Sequence, residues 1–377
     1  MEEWKEYRLG EVVNILDYKR IPLSSVERKT REGGFPYYGA QGIIDYSDDY
    51  IFDGTYLLIA EDGENLKSKK QDIAQLAHGK YWVNNHAHIV ESNGICDIRY
   101  LCYILNNIDL SGYITGSAQP KLNQANLSAI SIILPSLNLQ EQIADFISMF
   151  DNKIELNRRI NDNLEQQAQA LFNYYFIDTP ELLGEFSVGS LADTANYVNG
   201  LAMQKYRPIN GEKGLPVLKI KELGQGRIDS SSDFCSNEID SYYKVYDGDV
   251  IFSWSGTLMV KIWCGGKCGL NQHLFKVSSK TTPKWFYYFW TKHHLDNFIR
   301  IAKDKAVTMG HIKRGELEKA EVLFPNNSVM KKLDTLMAPF LDQIIEKECE
   351  IRKLALLRDT LLPKLISGEL VINDINN

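Results

Sequence analysis

Between residues 139 and 175 the apolar positions advance in steps of four and three: Ile143, Ile147, Phe150, Ile154, Leu164, Ala168 and Leu171. No glycine or proline interrupts the run. This is the narrow seam of a heptad repeat rather than the broad apolar face of a globular helix. At 1.5 Å per residue such a helix runs about 50 Å. Asn157 breaks the seam, and a polar residue there fixes register at some cost in stability. Pro135 ends the preceding segment, and Asn138 with Glu141 three residues on has the form of a capping box.

A second seam lies at 329–366, with Leu333, Met337, Phe340, Ile344, Leu354 and Leu361 as its apolar positions and Lys347 as its polar break. Pro135 and Pro325, which close the strand-like stretches SIILP and EVLFP, stand 190 residues apart. The same offset carries the first seam onto the second, including Asn157 onto Lys347. The second copy is less regular. Pro339 is expected to kink the helix or delay its start, and Arg358 occupies a seam position.

The region before each seam repeats as well. Each has a strand led in by Asp-Gly (53–59 and 247–252), then a glycine-containing turn at 61–63 or 255–256. Each continues with a polar strand carrying histidine (84–90 and 271–277) and a short amphipathic helix at 99–106 or 283–293. A period near 190 residues marks a duplicated domain rather than a solenoid. The expected fold is α+β. Two β-rich domains related by a pseudo-two-fold are separated by two long antiparallel helices forming a coiled-coil spacer. The boundaries fall at 1–135, 136–178, 179–326, 327–370 and a tail at 371–377.

Composition narrows the class. The chain has 377 residues, of which 44% are hydrophobic, and no apolar run reaches membrane-spanning length. The start MEEWKEYRLG lacks the form of a signal peptide, and six scattered cysteines read as reduced thiols, so a cytoplasmic protein is expected. Cys264 and Cys268 flank a Gly-Gly pair and read as a strand-to-strand turn rather than half a metal site. A net charge of −7 argues against an electrostatic coat on nucleic acid but leaves room for a locally basic contact surface.

Several stretches are similar to those of the specificity subunit of type I restriction-modification enzymes: FPYYGAQGII at 35–44, YLLIAEDG at 56–63, the strand at 83–90, GSAQPKL at 116–122, LQEQI at 139–143 and LLPKLISGEL at 361–370. The resemblance spans nearly the whole chain. It departs at VTMGHI (307–312), where the Ser-Ala-Gln-Pro-Lys-Leu form is replaced, and at Lys331-Lys332, where the Glu-Gln pair is. The resemblance implies two target-recognition domains, each reading half of a split sequence in double-stranded DNA. It implies two modification (methyltransferase) subunits and two restriction (translocase/nuclease) subunits as partners, and no membrane. S-adenosylmethionine, ATP and Mg²⁺ are then expected on the partner subunits, with no cofactor in this chain.

The residues agree with a chain that is not itself an enzyme. It has no Pro-Pro for the loop that grips a flipped adenine, and no G-x-x-x-x-G-K-[ST] phosphate loop. His86-Ala87-His88 places two histidines on one strand face without an evident third ligand, so a structural or DNA-facing role is favoured and no metal site is assigned. Readout of base edges and phosphates uses Arg, Lys, Asn, Gln and small hydroxyls. On that chemistry the first-domain candidates are Tyr38, Gln41, Lys67, Lys69, Asn85, His86, Gln119 and Lys121. Those of the second are Lys219, Lys221, Ser253, Ser255, Thr257, Gln272, His273, Lys305, Thr308, His311, Lys313 and Arg314. Packing competes for Tyr38, backbone satisfaction for the Asn and Gln residues leading strands, and a solvated basic face for Lys305, Lys313 and Arg314. A protein-assembly scaffold on the same coiled coil is the alternative reading.

Overall fold

The computed structural model describes residues 4–116, 119–209, 211–304 and 311–372. The chain forms two compact units, Met1–Asp151 with Leu357–Asn377, and Asn152–Leu356. The boundary between them falls inside both long helices, Leu137–Asn173 and Asn327–Ile366, so each unit holds a β-rich domain and a stretch of each helix.

In the first unit the apolar run Tyr56–Ala60 becomes a central strand. It pairs antiparallel with Ala74–Ala77 on one side and Ala87–Ser92 on the other, and Val13–Ile15 completes that sheet beyond Ala87–Ser92. A second sheet runs Gly42–Ser47, Phe35–Gly39, Lys80–Val83, Phe52–Asp53, with its middle pair parallel. Lys5–Arg8 pairs with Ser131–Leu134. Helix Ile98–Asn107 buries Tyr100, Leu101, Ile104 and Leu105 along one face. Asp97 caps it, accepting from the backbone N–H groups of Arg99 and Tyr100 at 2.8 and 3.1 Å.

The second unit repeats this connectivity strand for strand. One sheet runs Asn196–Asn199, Leu274–Ser278, Asp249–Ser253, Met259–Trp263. The other runs Phe234–Cys235, Leu215–Leu218, Cys268–Leu270, Lys244–Val245, again with a parallel middle pair. Phe186–Ser190 pairs with Glu321–Pro325. The duplication expected from the sequence is thus a duplication of topology. Cys264 and Cys268 flank the turn between Met259–Trp263 and Cys268–Leu270.

The helices pack antiparallel within each unit. In the second unit Ile154, Ala168, Leu333, Met337 and Ile344 are buried, while Leu164, Leu171, Phe340 and Leu354 are half-exposed. Phe172 and Leu341 are buried beside them, one position on from Leu171 and Phe340. In the first unit Ile143 and Ile147 are buried, with Ala144, Leu362 and Leu365, and Phe150 and Leu361 are half-exposed. Two effects explain the shift. A straight helix drifts about 20° per heptad against a 3.5-residue repeat. Where a helix also lies against a sheet domain, its buried face must widen. Phe172 illustrates the second effect, stacking on Phe176 and Phe289 at centroid distances of 5.1 and 5.6 Å.

Asn157 is fully buried. Lys347 is half-exposed and pairs with Glu350 on its own helix at 3.0 Å, and Lys153 approaches Glu350 from the other helix at 3.8 Å. Asn161, the next seam position, hydrogen-bonds across the pair: its Nδ2 donates to Glu348 Oε1 at 2.9 Å and to the Ile344 carbonyl at 3.4 Å. Arg358, out of place in a seam, donates to Asp151 at 2.6 Å, and Asp151 also accepts from the Tyr103 hydroxyl at 2.6 Å.

Two helix-end expectations are corrected. The first helix begins at Leu137, with Ser136 rather than Asn138 at its start: Ser136 Oγ accepts from Leu139 N at 3.4 Å and its carbonyl from Gln140 N. The second begins at Asn327 and runs through Pro339 without interruption; Asn326 Oδ1 accepts from Ser328 N and Val329 N, both at 3.0 Å. Pro339 has no N–H to offer the Thr335 carbonyl, and both residues lie on the exposed side of the helix. Among the described residues no helix is long and apolar enough to cross a membrane.

Candidate functional site

In each unit three loops converge at the end of the central strand. In the first they are 61–63, which follows Tyr56–Ala60, the turn 84–86, and 119–122. Glu61 N donates to the His86 carbonyl at 2.9 Å, Leu122 N to the Glu61 carbonyl at 2.8 Å, and Gly63 N to the Pro120 carbonyl at 3.1 Å. Gly63 holds φ at +114°, which a residue with a side chain rarely adopts. In the second unit the same places are taken by 254–256, 271–273 and 311–312. Ile312 N donates to the Trp254 carbonyl at 3.1 Å, and Ser255 pairs with His311 as Asp62 pairs with Lys121. Asn84 and Asn271 head the two turns, buried, each Oδ1 accepting from the backbone N–H two residues on, at 2.8 and 3.4 Å.

The first unit places a ladder of charges here. His88, deep in the core, sets Nδ1 2.5 Å from Asp17 Oδ2 and Nε2 2.7 Å from the Leu122 carbonyl. Arg20 lies 3.3 Å from the same Asp17 oxygen and donates to Glu61 Oε2 at 2.7 Å and to the Ala87 carbonyl at 2.9 Å. Lys121 Nζ closes the ladder, 3.1 Å from Glu61 Oε1. Beside it His86 Nδ1 stands 2.7 Å from Asp62.

Burial pushes the Asp17 carboxyl up, but hydrogen bonds from His88 and the Ile89 N–H, with Arg20 nearby, outweigh it and hold the group below its usual range. For Glu61 burial is again outweighed, by Arg20, Lys121 and His88. Asp17, Glu61 and His88 could together reach one ion, yet the Arg20 guanidinium already bridges the two carboxylates. Because the folded values lie below the ordinary 3.8 and 4.5, the two groups stabilise the fold fully above those values. That contribution is lost as pH falls through the folded values. Acid titration of unfolding should therefore show Asp17→Asn less acid-sensitive in its first unit than the native chain, with an equal slope counting against the ladder.

The second unit carries a cluster of aromatic and imidazole rings in the same place. Trp254 stacks on Phe275 at 5.6 Å, lies 6.1 Å from the His273 ring and 6.2 Å from that of His311, and donates through Nε1 to Asn199 Oδ1 at 3.0 Å. Phe275 stands where His88 stands in the first copy, and His311 where Lys121 does.

The loops gather His86 and Lys121 in one unit, and Ser255, His273 and His311 in the other, with exposed Asn85 and Gln119 beside the first group and half-buried Gln272 beside the second. Lys67 Nζ donates to the Gly116 carbonyl at 3.1 Å, next to the same loops, whereas Lys69 Nζ bonds the Ile108 carbonyl at 2.8 Å. Tyr38 packs edge-on against Tyr81 at 5.3 Å, half-buried, and Gln41 is exposed at a hairpin turn. Ser253 is buried with Oγ donating to the Ser255 carbonyl, and Thr257 is exposed. Lys219 is paired with Asp233, and Lys221 with Asp229 and Ser231. Lys219, Asp233, Gln204, Arg207 and Asn271 line a small pocket. Lys313 and Arg314 are exposed, Arg314 reaching the Tyr197 carbonyl at 3.5 Å. Lys305 and Thr308 lie outside the described residues. Sequence reasoning missed Asp17, Arg20, Glu61 and Trp254; the first two sit in a segment without periodicity, so no local signal marks them.

Residues 1–166 and 184–357 match the family described as the type I restriction modification DNA specificity domain. The chain belongs to the type I restriction-modification specificity family. As a specificity subunit it supplies the DNA sequence specificity of such a system, and its two family segments coincide with the two copies of the fold. It is 25% identical to the type I restriction enzyme MjaIX specificity subunit of Methanocaldococcus jannaschii, over 99% of this chain and 98% of that one. It is 27% identical to the type I restriction enzyme HindI specificity subunit of Haemophilus influenzae, over 47% of this chain and 42% of that one. The crystal structure of the S subunit of a type I restriction-modification system from M. genitalium shares the fold, with a TM-score of 0.62 at 14% identity, covering 97% of this chain and 96% of that one.

Proposed function

We propose that each β-rich domain of this specificity subunit reads one half of a bipartite double-stranded DNA target through its three converging loops. The chain carries no catalysis of its own and docks two modification subunits and two restriction subunits. S-adenosylmethionine, ATP and Mg²⁺ act on those partners. The observation that supports split reading is the contrast between the copies: one topology, but a charged ladder in the first set of loops and a Trp-His-Phe cluster in the second. Two readers of one identical sequence would have no use for that divergence.

Exchanging residues 1–130 for the equivalent domain of another family member should alter one half of the methylated motif and leave the other half untouched. The check is mapping of methylated adenines in host DNA after co-expression with the modification subunit. Changes in both halves would argue against independent readers. A stable assembly that methylates no split motif would favour a protein-assembly scaffold instead.

A further inference from the structure

Along the ladder of the first domain, side-chain exposure rises from 1% at His88 through 7% at Asp17, 15% at Arg20 and 13% at Glu61 to 52% at Lys121. Only the last rung is open to a ligand. Its backbone is held as firmly as its amine. Lys121 N donates to the Thr115 carbonyl and Thr115 N to the Lys121 carbonyl, both at 2.8 Å, and the strand-like bridge to Asp62 holds the same residue from the other side. A lysine is ordinarily a flexible point charge. Here its stem starts from a fixed backbone and its head rests against a carboxylate that Arg20 also fixes.

Lys121 is a compensated cation: its Nζ lies 3.1 Å from Glu61 Oε1, and Asp62 and Asp17 add two more carboxylates to the cluster. A clamp for phosphate gains from an uncompensated cation, since its affinity comes from displaced counterions. A base edge calls instead for a donor fixed in position, and lysine's partners in the major groove are guanine O6 and N7.

We infer that Lys121 is a specificity-determining residue that reads a guanine in the half-site of the first domain, with Glu61 and Arg20 as positioning residues behind it. The inference rests on the split-reading proposal above. In the second domain the same fold position carries His311 beside Trp254, so the two half-sites are read there by different chemistry.

The test uses the full chain assembled with its modification subunits and DNA duplexes carrying the mapped motif. The guanines of the first half-site are replaced one at a time by 7-deazaguanine, which lacks the N7 acceptor. The native complex should lose binding by roughly ten- to a hundredfold at one position, the range of a single good base contact. Lys121→Met should bind native and substituted duplexes alike at that position and keep its discrimination in the other half-site. Glu61→Gln should retain the preference in weakened form.

If Lys121→Met weakens binding equally on every sequence and lowers the salt slope by about one, the residue is a phosphate contact and the inference fails. It fails too if no position of the first half-site responds, or if Lys121→Met discriminates as the native chain does. A native complex with no split motif overturns the underlying proposal instead.

Discussion

Removing residues 357–377 should unfold the first unit and leave the sheets of the second in place. The last turns of the second long helix belong to the first core: Leu362 and Leu365 are buried against Ile143, Ala144 and Ile147, with Leu361, Leu370 and Ile372 packed at its edge. Arg358, which satisfies Asp151, would go with them. Truncating one buried leucine to alanine costs about 2–5 kcal/mol, and a domain holds about 5–15 kcal/mol in total. Deleting the whole segment therefore exceeds what the unit can lose. Leu362→Ala and Leu365→Ala should each destabilise it by about 2–5 kcal/mol without abolishing the fold. Hydrogen exchange is the direct check. Amides in Tyr56–Ala60 and Ala87–Ser92 should lose protection, while those in Asp249–Ser253 and Leu274–Ser278 keep theirs. Equal loss in both units would mean that they unfold as one.

Asp17→Ala should be the most damaging single change in the recognition loops. It takes one acceptor from buried His88, from Arg20 and from the Ile89 N–H, which Asp17 Oδ1 meets at 3.0 Å. Leaving buried charged partners uncompensated costs about 3–5 kcal/mol. Lys121→Ala, at the exposed end of the same ladder, should cost no more than about 1 kcal/mol. Chemical denaturation of the two variants measures the contrast. Similar losses at both ends would show that the ladder is not anchored from the core.

The features that could be read from the sequence are those repeated along it. The seams, their polar breaks and the twin prolines recur at one offset, and the strand order of the two units bears that duplication out. Helix ends were less legible, because Ser136 and Asn138 are both acceptable caps and the geometry of the preceding strand decides between them. The shift of burial from Leu171 to Phe172 depends on what lies opposite, and no periodicity contains that. In the loops, His86 and Lys121 are marked by residue type. Glu61 and Arg20 are not, because their meeting depends on sheet register between segments 41 residues apart. Nothing in the sequence marks Trp254; its place in the site depends on the turn that brings the His273 ring to 6.1 Å from it.

Since Leu362 and Leu365 complete a core whose other walls lie before residue 152, the part of the chain made first is finished last. At about 5–20 residues per second, roughly 10–40 s of translation separate Ile147 from Leu362. Throughout that interval the nascent first domain presents an uncovered apolar strip to solvent and to any chaperone near the ribosome exit. The second unit has all of its residues once Leu356 has been made. Order of synthesis and order of completion are thus reversed in this molecule, and a ribosome stalled just past Leu356 would hold a chain in which the earlier of the two domains is the unfinished one.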